Sequence, residues 1–117
     1  MEKNEFISYL KSASSKLSSV RYIKKSDSAY QELSEIERDL RHKCVIYYKL
    51  TWEEFKTNGF TRDLQLSSEI LNKYTHKGSE KSKSDRIDEF KKEYLYDLRQ
   101  LIFKLEYKPT EKTETGG

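Results

Sequence analysis

The side chains with the most reactive chemistry in this sequence are two histidines and one cysteine, His42, Cys44 and His76. Imidazole and thiolate groups are the usual ligands of zinc, and they also serve as bases and nucleophiles in catalytic sites. His42 and Cys44 are two residues apart, so on a helix they project in different directions. Cys44 also falls on an apolar stripe, where a buried and inert thiol is the common role. We therefore expect no metal site.

Cofactor and phosphate-binding motifs are absent from the sequence as well. The four glycines stand at positions 59, 78, 116 and 117, which excludes the glycine-rich loops that cradle nucleotides. Carboxylate pairs such as Glu53 with Glu54 fall on polar helical faces, where solvated charge is the usual role. The sequence therefore predicts no cofactor, no small-molecule substrate and no catalytic activity.

A group of basic residues lies in the first part of the chain. Residues 1–25 hold six basic and two acidic side chains, whereas the whole chain, with 23 basic and 20 acidic side chains, carries a net charge of only +3. Lysines on a helix most often form a solvated face, but a local cluster can also contact phosphates. Nucleic-acid binding through a basic first helix is therefore our alternative function. The residues that would make these contacts are Lys11, Lys16, Arg21, Lys24 and Lys25.

Aromatic residues form a second candidate site. In the last helical segment Tyr96, Phe103 and Tyr107 recur at intervals of 7 and 4 residues, beside the main apolar stripe. A helix that is apolar on two sides is either central in its bundle or shared with another chain, and the sequence slightly favours the central position. Aromatic residues often anchor protein interfaces. We therefore predict a protein-interaction module, an adaptor or a small subunit of a larger assembly, that uses these three residues to bind a protein partner or its own copy.

The elements that would position these side chains are helices. Apolar residues spaced by three and four positions predict a first helix over residues 2–23 and a second over residues 28–50. Ser28 and Gln31 have the spacing of a capping box for the second helix. The predicted core residues of the first helix are Phe6, Leu10, Ala13, Leu17 and Val20, and those of the second are Tyr30, Leu33, Ile36, Leu40, Cys44 and Tyr47.

The third element, residues 51–74, is predicted to break near Gly59. Thr51 and Glu54 form a capping box for a short helix, Asn58 with Gly59 offers a left-handed stop, and Thr61 caps a further helix. A helix-turn-helix DNA reader would need apolar residues at several positions that are polar here, so we predict two short bundle helices. Their predicted core residues are Trp52, Phe55, Phe60, Leu64, Ile70, Leu71 and Tyr74.

The last helix has the clearest apolar stripe. It is predicted to begin after Ser82 or Ser84, following a solvated, mobile loop over residues 75–85, and to end near Tyr107 because Pro109 disfavours helix just before it. Its predicted core residues are Ile87, Phe90, Tyr94, Leu98, Leu101 and Leu105.

Taken together, these patterns predict an all-α protein, an up-and-down bundle of four or five helices whose third element is broken near Gly59. Residues 1–108 would form one helical domain, and residues 109–117 a flexible polar tail. No stretch is apolar enough for a membrane span, and a single cysteine fits a reducing compartment. We therefore expect a cytoplasmic protein.

Overall fold

Residues 1–107 are described by the computed structural model, and they form helices joined by short connections, without a β-strand. The helices are α1 (Lys3–Ser19), α2 (Ser28–Tyr48), α3 (Trp52–Thr57), α4 (Arg62–Ser68), a 3-10 helix (Glu69–Lys73) and α5 (Glu80–Glu106). The predicted all-α class is confirmed. The predicted tail, residues 109–117, lies outside the described residues.

Helix α1 follows its apolar pattern closely. All five predicted core residues are buried, and Ile7 joins them. The helix ends at Ser19, earlier than predicted, because the backbone becomes extended at Val20 (φ −69°, ψ 134°). The residues after it, including Tyr22, therefore belong to the connection between α1 and α2.

Helix α2 departs from the prediction in its cap and in its buried face. Asp27, and not Ser28, occupies the N-cap position, and no side chain caps the helix. The predicted capping box is therefore wrong. The buried residues are Ala29, Leu33, Glu37, Leu40 and Cys44, whereas Tyr30, Ile36 and Tyr47 are only partly buried. The stripe is rotated because the large aromatic rings pack at its border, which brings the small Ala29 and the charged Glu37 inward.

The third element is broken near Gly59, as predicted. Thr51 and Glu54 form the expected reciprocal capping box at the start of α3. The left-handed stop is wrong, because Asn58 is extended and no glycine among the described residues has a positive φ. Thr61 does precede α4, but its hydroxyl donates to the Phe55 carbonyl oxygen at 2.8 Å and does not cap the helix.

Fewer side chains of the third element are buried than predicted. Phe55 is fully buried, but Trp52 and Phe60 remain 38% and 44% exposed. The six-residue helix α3 turns only one large side chain inward. The Trp52 ring stacks on Phe55, and the cationic groups of Arg41 and Lys56 lie 4.8 Å and 5.4 Å from its centroid. Further along, Leu64, Leu71 and Tyr74 are buried as predicted, while Ile70 is partly buried.

Helix α5 is the longest element and carries the predicted stripe. All six predicted core residues are buried. The helix begins at Glu80, before the predicted start, because the Ser79 hydroxyl accepts a hydrogen bond from the Ser82 backbone amide and caps it. The solvated loop predicted over residues 75–85 is therefore shorter. Lys83, predicted to lie in this loop, is buried and pairs with Asp27 at 3.4 Å.

Contacts between the elements define the topology. Helices α1 and α5 are antiparallel, since Lys11 pairs with Glu106 at one end of the pair and the Tyr22 hydroxyl donates to Glu80 at the other. Phe6 stacks on Tyr47 in α2, so α1 and α2 are antiparallel as well. Helix α4 and the 3-10 helix pack on α5. The result is the predicted up-and-down bundle of four elements, in which α5 contacts both α1 and the broken third element.

Candidate protein-interaction surface

Two exposed aromatic residues lie on the side of α5 opposite its core stripe, and a third, Tyr107, occupies the C-cap position directly after the helix. Tyr96, Phe103 and Tyr107 are 61%, 63% and 58% exposed. Central burial of these residues, which the sequence slightly favoured, is therefore wrong. The extra buried row of α5 consists of Leu95 and Ile102, which border the core stripe. Tyr96 is two residues from both Tyr94 and Leu98, so at 3.6 residues per turn it faces away from the core.

A fourth aromatic residue extends this group. Phe60, in the connection between α3 and α4, lines a shallow cavity of about 340 Å³ together with Phe103, Lys104 and Tyr107. The rings of Phe103 and Tyr107 have their centroids 6.1 Å apart. We call Tyr96, Phe103, Tyr107 and Phe60 the α5 aromatic surface. The sequence suggested a core role for Phe60, but its position outside both short helices is a signal that it does not belong to a buried stripe.

The rest of the fold holds this surface in place. Phe60 stacks on Tyr48 at the end of α2, with ring centroids 5.7 Å apart. The Ser67 hydroxyl of α4 donates to the Asp97 carboxylate of α5, and burial raises the pKa of that carboxyl. Behind the exposed face, Leu101 and Leu105 are buried in the core. Tyr96 and Phe103 are thus displayed on a helix, whereas Phe60 lies in the connection between α3 and α4 and Tyr107 directly follows α5.

A second shallow cavity adjoins Tyr96. It measures about 570 Å³ and is lined by Lys92, Glu93, Leu95, Tyr96, Arg99 and Gln100. Together with the cavity beside Phe60, it places three cationic side chains, Lys92, Arg99 and Lys104, and one carboxylate, Glu93, around the exposed rings. The α5 aromatic surface therefore has a rim of mainly positive charge.

The basic residues of the first segment do not form one patch. Lys11 pairs with Glu106 of α5 at 2.7 Å. Lys16 lines a cavity of about 430 Å³ between α1 and α2, together with Glu32, Glu35 and Asp39. Three carboxylates thus accompany the one lysine in this cavity.

The remaining basic residues lie beyond the end of α1, in its connection to α2. The Arg21 guanidinium donates to the Ser18 carbonyl oxygen at 3.0 Å. Lys24 is exposed, and Lys25 adopts a left-handed backbone (φ 61°) while its amide donates to Glu80 at 2.9 Å. The five predicted nucleic-acid contacts are therefore divided among three different surroundings.

The potentially reactive side chains are also separated. Cys44 is buried in the core, where burial raises the pKa of its thiol to about 12, and His42 is exposed. His76 lies in the connection before α5, where its Nδ1 is 3.1 Å from Oδ2 of Asp27. Hydrogen bonds from Tyr74 and His76 lower the pKa of Asp27. Within residues 1–107, no group of three or more histidine, cysteine or acidic side chains is arranged to hold a metal ion.

Comparison with protein-family models, curated proteins and solved structures gives no significant match for this chain. Among the described helices, none combines the length and the apolar character that crossing a membrane requires.

Proposed function

We propose that this protein is a non-catalytic interaction module, an adaptor or a small subunit of a larger assembly, that binds another protein chain through the α5 aromatic surface. One observation carries the proposal. Tyr96 and Phe103 on one side of α5, and Tyr107 directly after the helix, are each more than half exposed, although the opposite side of the helix is packed. Exposed apolar surface with a polar rim marks interaction sites in soluble domains.

The size of the surface bears on how it would bind. An aromatic side chain offers about 200 Å² of surface, and these three side chains are each about three-fifths exposed, so roughly 350 Å² remains to be buried by a partner. At roughly 25 cal/mol per Å² of apolar surface, its burial would contribute about 9 kcal/mol to binding. Association itself costs on the order of 4–15 kcal/mol in lost freedom of motion. Burial of the rings therefore offsets this cost only in part, so contacts with the charged rim must contribute to a stable complex.

Nucleic-acid binding through the first helix has less support. Its candidate residues are dispersed, and the surroundings of Lys16 are acidic. Phosphate binding strengthens with the number of cations that act together, and it weakens steeply with salt. Binding of an oligonucleotide that weakens steeply with salt and is lost when Lys16, Arg21, Lys24 and Lys25 are neutralised would favour this alternative.

The proposal can be tested by affinity capture from a lysate of the cells that produce the protein. The full chain is compared with a Phe103→Ser, Tyr107→Ser variant, and with Ile23→Ser as a matched control. Ile23 is 58% exposed and lies in the connection after α1, away from the surface. We expect the wild type and the control to retain the same protein and the double variant to lose it.

Self-association is measured in parallel by sedimentation equilibrium. If no protein is retained in a Phe103-dependent way and the chain stays monomeric at high concentration, the proposed function is wrong. Circular dichroism of each variant confirms that the helices are intact, because these exposed residues contribute little to the core.

A further inference from the structure

The rim of the α5 aromatic surface carries charges that form no ion pair with the residues that the structure describes. Lys92, Glu93, Arg99 and Lys104 line its two cavities. Among residues 1–107, none of the four lies within 4.0 Å of an opposite charge. Three of them are positive and one is negative, so the rim offers a net positive charge to whatever covers the rings.

The two cavities also follow one another along the helix. Tyr96 lines the first, and Phe103, seven residues later, lines the second. Seven residues are two helical turns, about 10 Å along the axis. A second helix lying along α5 presents its own residues i and i+7 on one face at the same separation, which is how amphipathic helices anchor in grooves.

We propose that the occupant of the α5 aromatic surface is an acidic amphipathic helix of another protein. This inference rests on the proposed function and specifies its partner. Two apolar side chains seven residues apart enter the cavities beside Tyr96 and beside Phe103. Carboxylates flanking these anchors meet Arg99 and Lys104, and the arginine can bind a carboxylate through two hydrogen bonds. Electrostatic complementarity of this kind mainly provides specificity, since a basic helix would meet like charges.

A second copy of the chain fits this surface less well. A symmetric dimer brings the same patch of each subunit together, so two patches that each carry three cations and one carboxylate would meet, and their net charges would repel. A single-stranded nucleic acid also fits less well, because such ligands need a continuous cationic track beside the stacking rings. Here the track is short, and Glu93 interrupts it.

The test is a selection from a displayed library of helical peptides of about 18 residues, long enough for five turns. Peptides are enriched on the full chain and depleted on Phe103→Ser. We expect the enriched sequences to share two apolar residues seven positions apart and a negative net charge.

For an enriched peptide, Arg99→Glu with Lys104→Glu should weaken binding by about tenfold or more, which corresponds to at least about 1.4 kcal/mol. The matched control, Lys24→Glu with Lys73→Glu, reverses two exposed charges elsewhere and should leave the affinity unchanged.

Other outcomes separate this inference from the function on which it rests. Enriched peptides that are neutral or basic and still require Phe103 would overturn the acidic-helix inference and leave the proposed function standing. A selection without any Phe103-dependent peptide would overturn the acidic-helix inference, and the proposed function would then be decided by the affinity capture and the sedimentation equilibrium. A fluorescent single-stranded oligonucleotide that binds wild type and is lost in the Arg99→Glu, Lys104→Glu variant would assign the surface to nucleic acid and overturn the inference.

Discussion

At the scale of single residues, the core of this bundle contains polar groups that its neighbours satisfy only in part. The Tyr94 side chain is fully buried in α5, and its hydroxyl has no hydrogen-bond partner among the described residues. Burial raises the pKa of this hydroxyl well above its ordinary value. Glu37 is also buried, and burial raises the pKa of its carboxyl, although the Arg41 guanidinium at 3.8 Å acts in the opposite direction.

Removal of the Tyr94 hydroxyl should therefore stabilise the protein. A buried polar group without a partner costs about 1–3 kcal/mol, so Tyr94→Phe is expected to raise the free energy of unfolding by about 1 kcal/mol. Chemical denaturation measures this change. Tyr74→Phe is the matched control, because the Tyr74 hydroxyl donates to Asp27 at 2.5 Å, and its loss should lower stability. A stability loss in Tyr94→Phe would show that the hydroxyl has a partner.

The residues that form the α5 aromatic surface could be predicted only in part from the sequence. The spacing of Tyr96, Phe103 and Tyr107 identified an aromatic row, because helical periodicity depends on sequence alone. Burial of Lys83 was not predictable, since it depends on Asp27, a charged residue distant in sequence that folding brings close. Burial of Glu37 was not predictable for another reason: its partner Arg41 lies one turn away on the same helix, but charged side chains are rarely found on the buried face. The cavity beside Phe60 was not predictable either, because it forms only where Phe60 meets Phe103, Lys104 and Tyr107.

At the scale of elements, the end of helix α2 depends on a residue with left-handed backbone, whereas α1, α3 and α5 end at residues with extended backbone. Helix α2 is followed by Lys49 with φ 56°, and the amides of Lys49 and Leu50 donate to the carbonyl oxygens of Ile46 and Val45. This is the Schellman arrangement, in which glycine is the usual residue at the left-handed position. A lysine there carries the steric cost of its Cβ.

Lys49→Gly should therefore stabilise the protein. The relief of left-handed strain exceeds the extra backbone entropy of glycine in the unfolded chain, for an expected gain of about 0.5–1 kcal/mol. Thermal and chemical denaturation measure the gain. Lys49→Ala, which removes the charge but keeps Cβ, is the control and should show no such gain. Equal effects of the two substitutions would mean that the lysine charge, not the backbone, is responsible.

Prediction of the elements succeeded where one periodic stripe dominates and failed at the turns. Helices α1 and α5 were predicted well because the residues of each core stripe recur at helical spacing along one side. The connection that contains Lys25 was predicted, but Lys25 and Lys49 are neither glycine nor asparagine, so the sequence does not mark their left-handed backbone. At Gly59 the opposite happened: a glycine suggested a left-handed turn that the structure does not contain. Its φ is not positive, and a Cβ built on it meets nothing within 4 Å, so the turn does not require glycine.

At the scale of the whole molecule, the arrangement of the broken third element leaves the α5 aromatic surface exposed. Helix α5 contacts α1 along its length and α4 with the 3-10 helix on another side. The break between α3 and α4 brings Phe60 beside Phe103 and Tyr107 without covering them. Sequence patterns predict that a helix has two apolar sides, but the packing of the other elements decides which side is buried.

The central claim, that the α5 aromatic surface binds another protein, is tested most directly by photo-crosslinking from the surface itself. A benzophenone amino acid replaces Phe103 in one variant and Ile23 in another, and each protein is irradiated in a lysate of the producing cells. We predict a discrete protein adduct from position 103 that position 23 does not form and that disappears when Tyr107 is also changed to serine. Absence of an adduct at position 103, or an equal adduct from position 23, would contradict the claim.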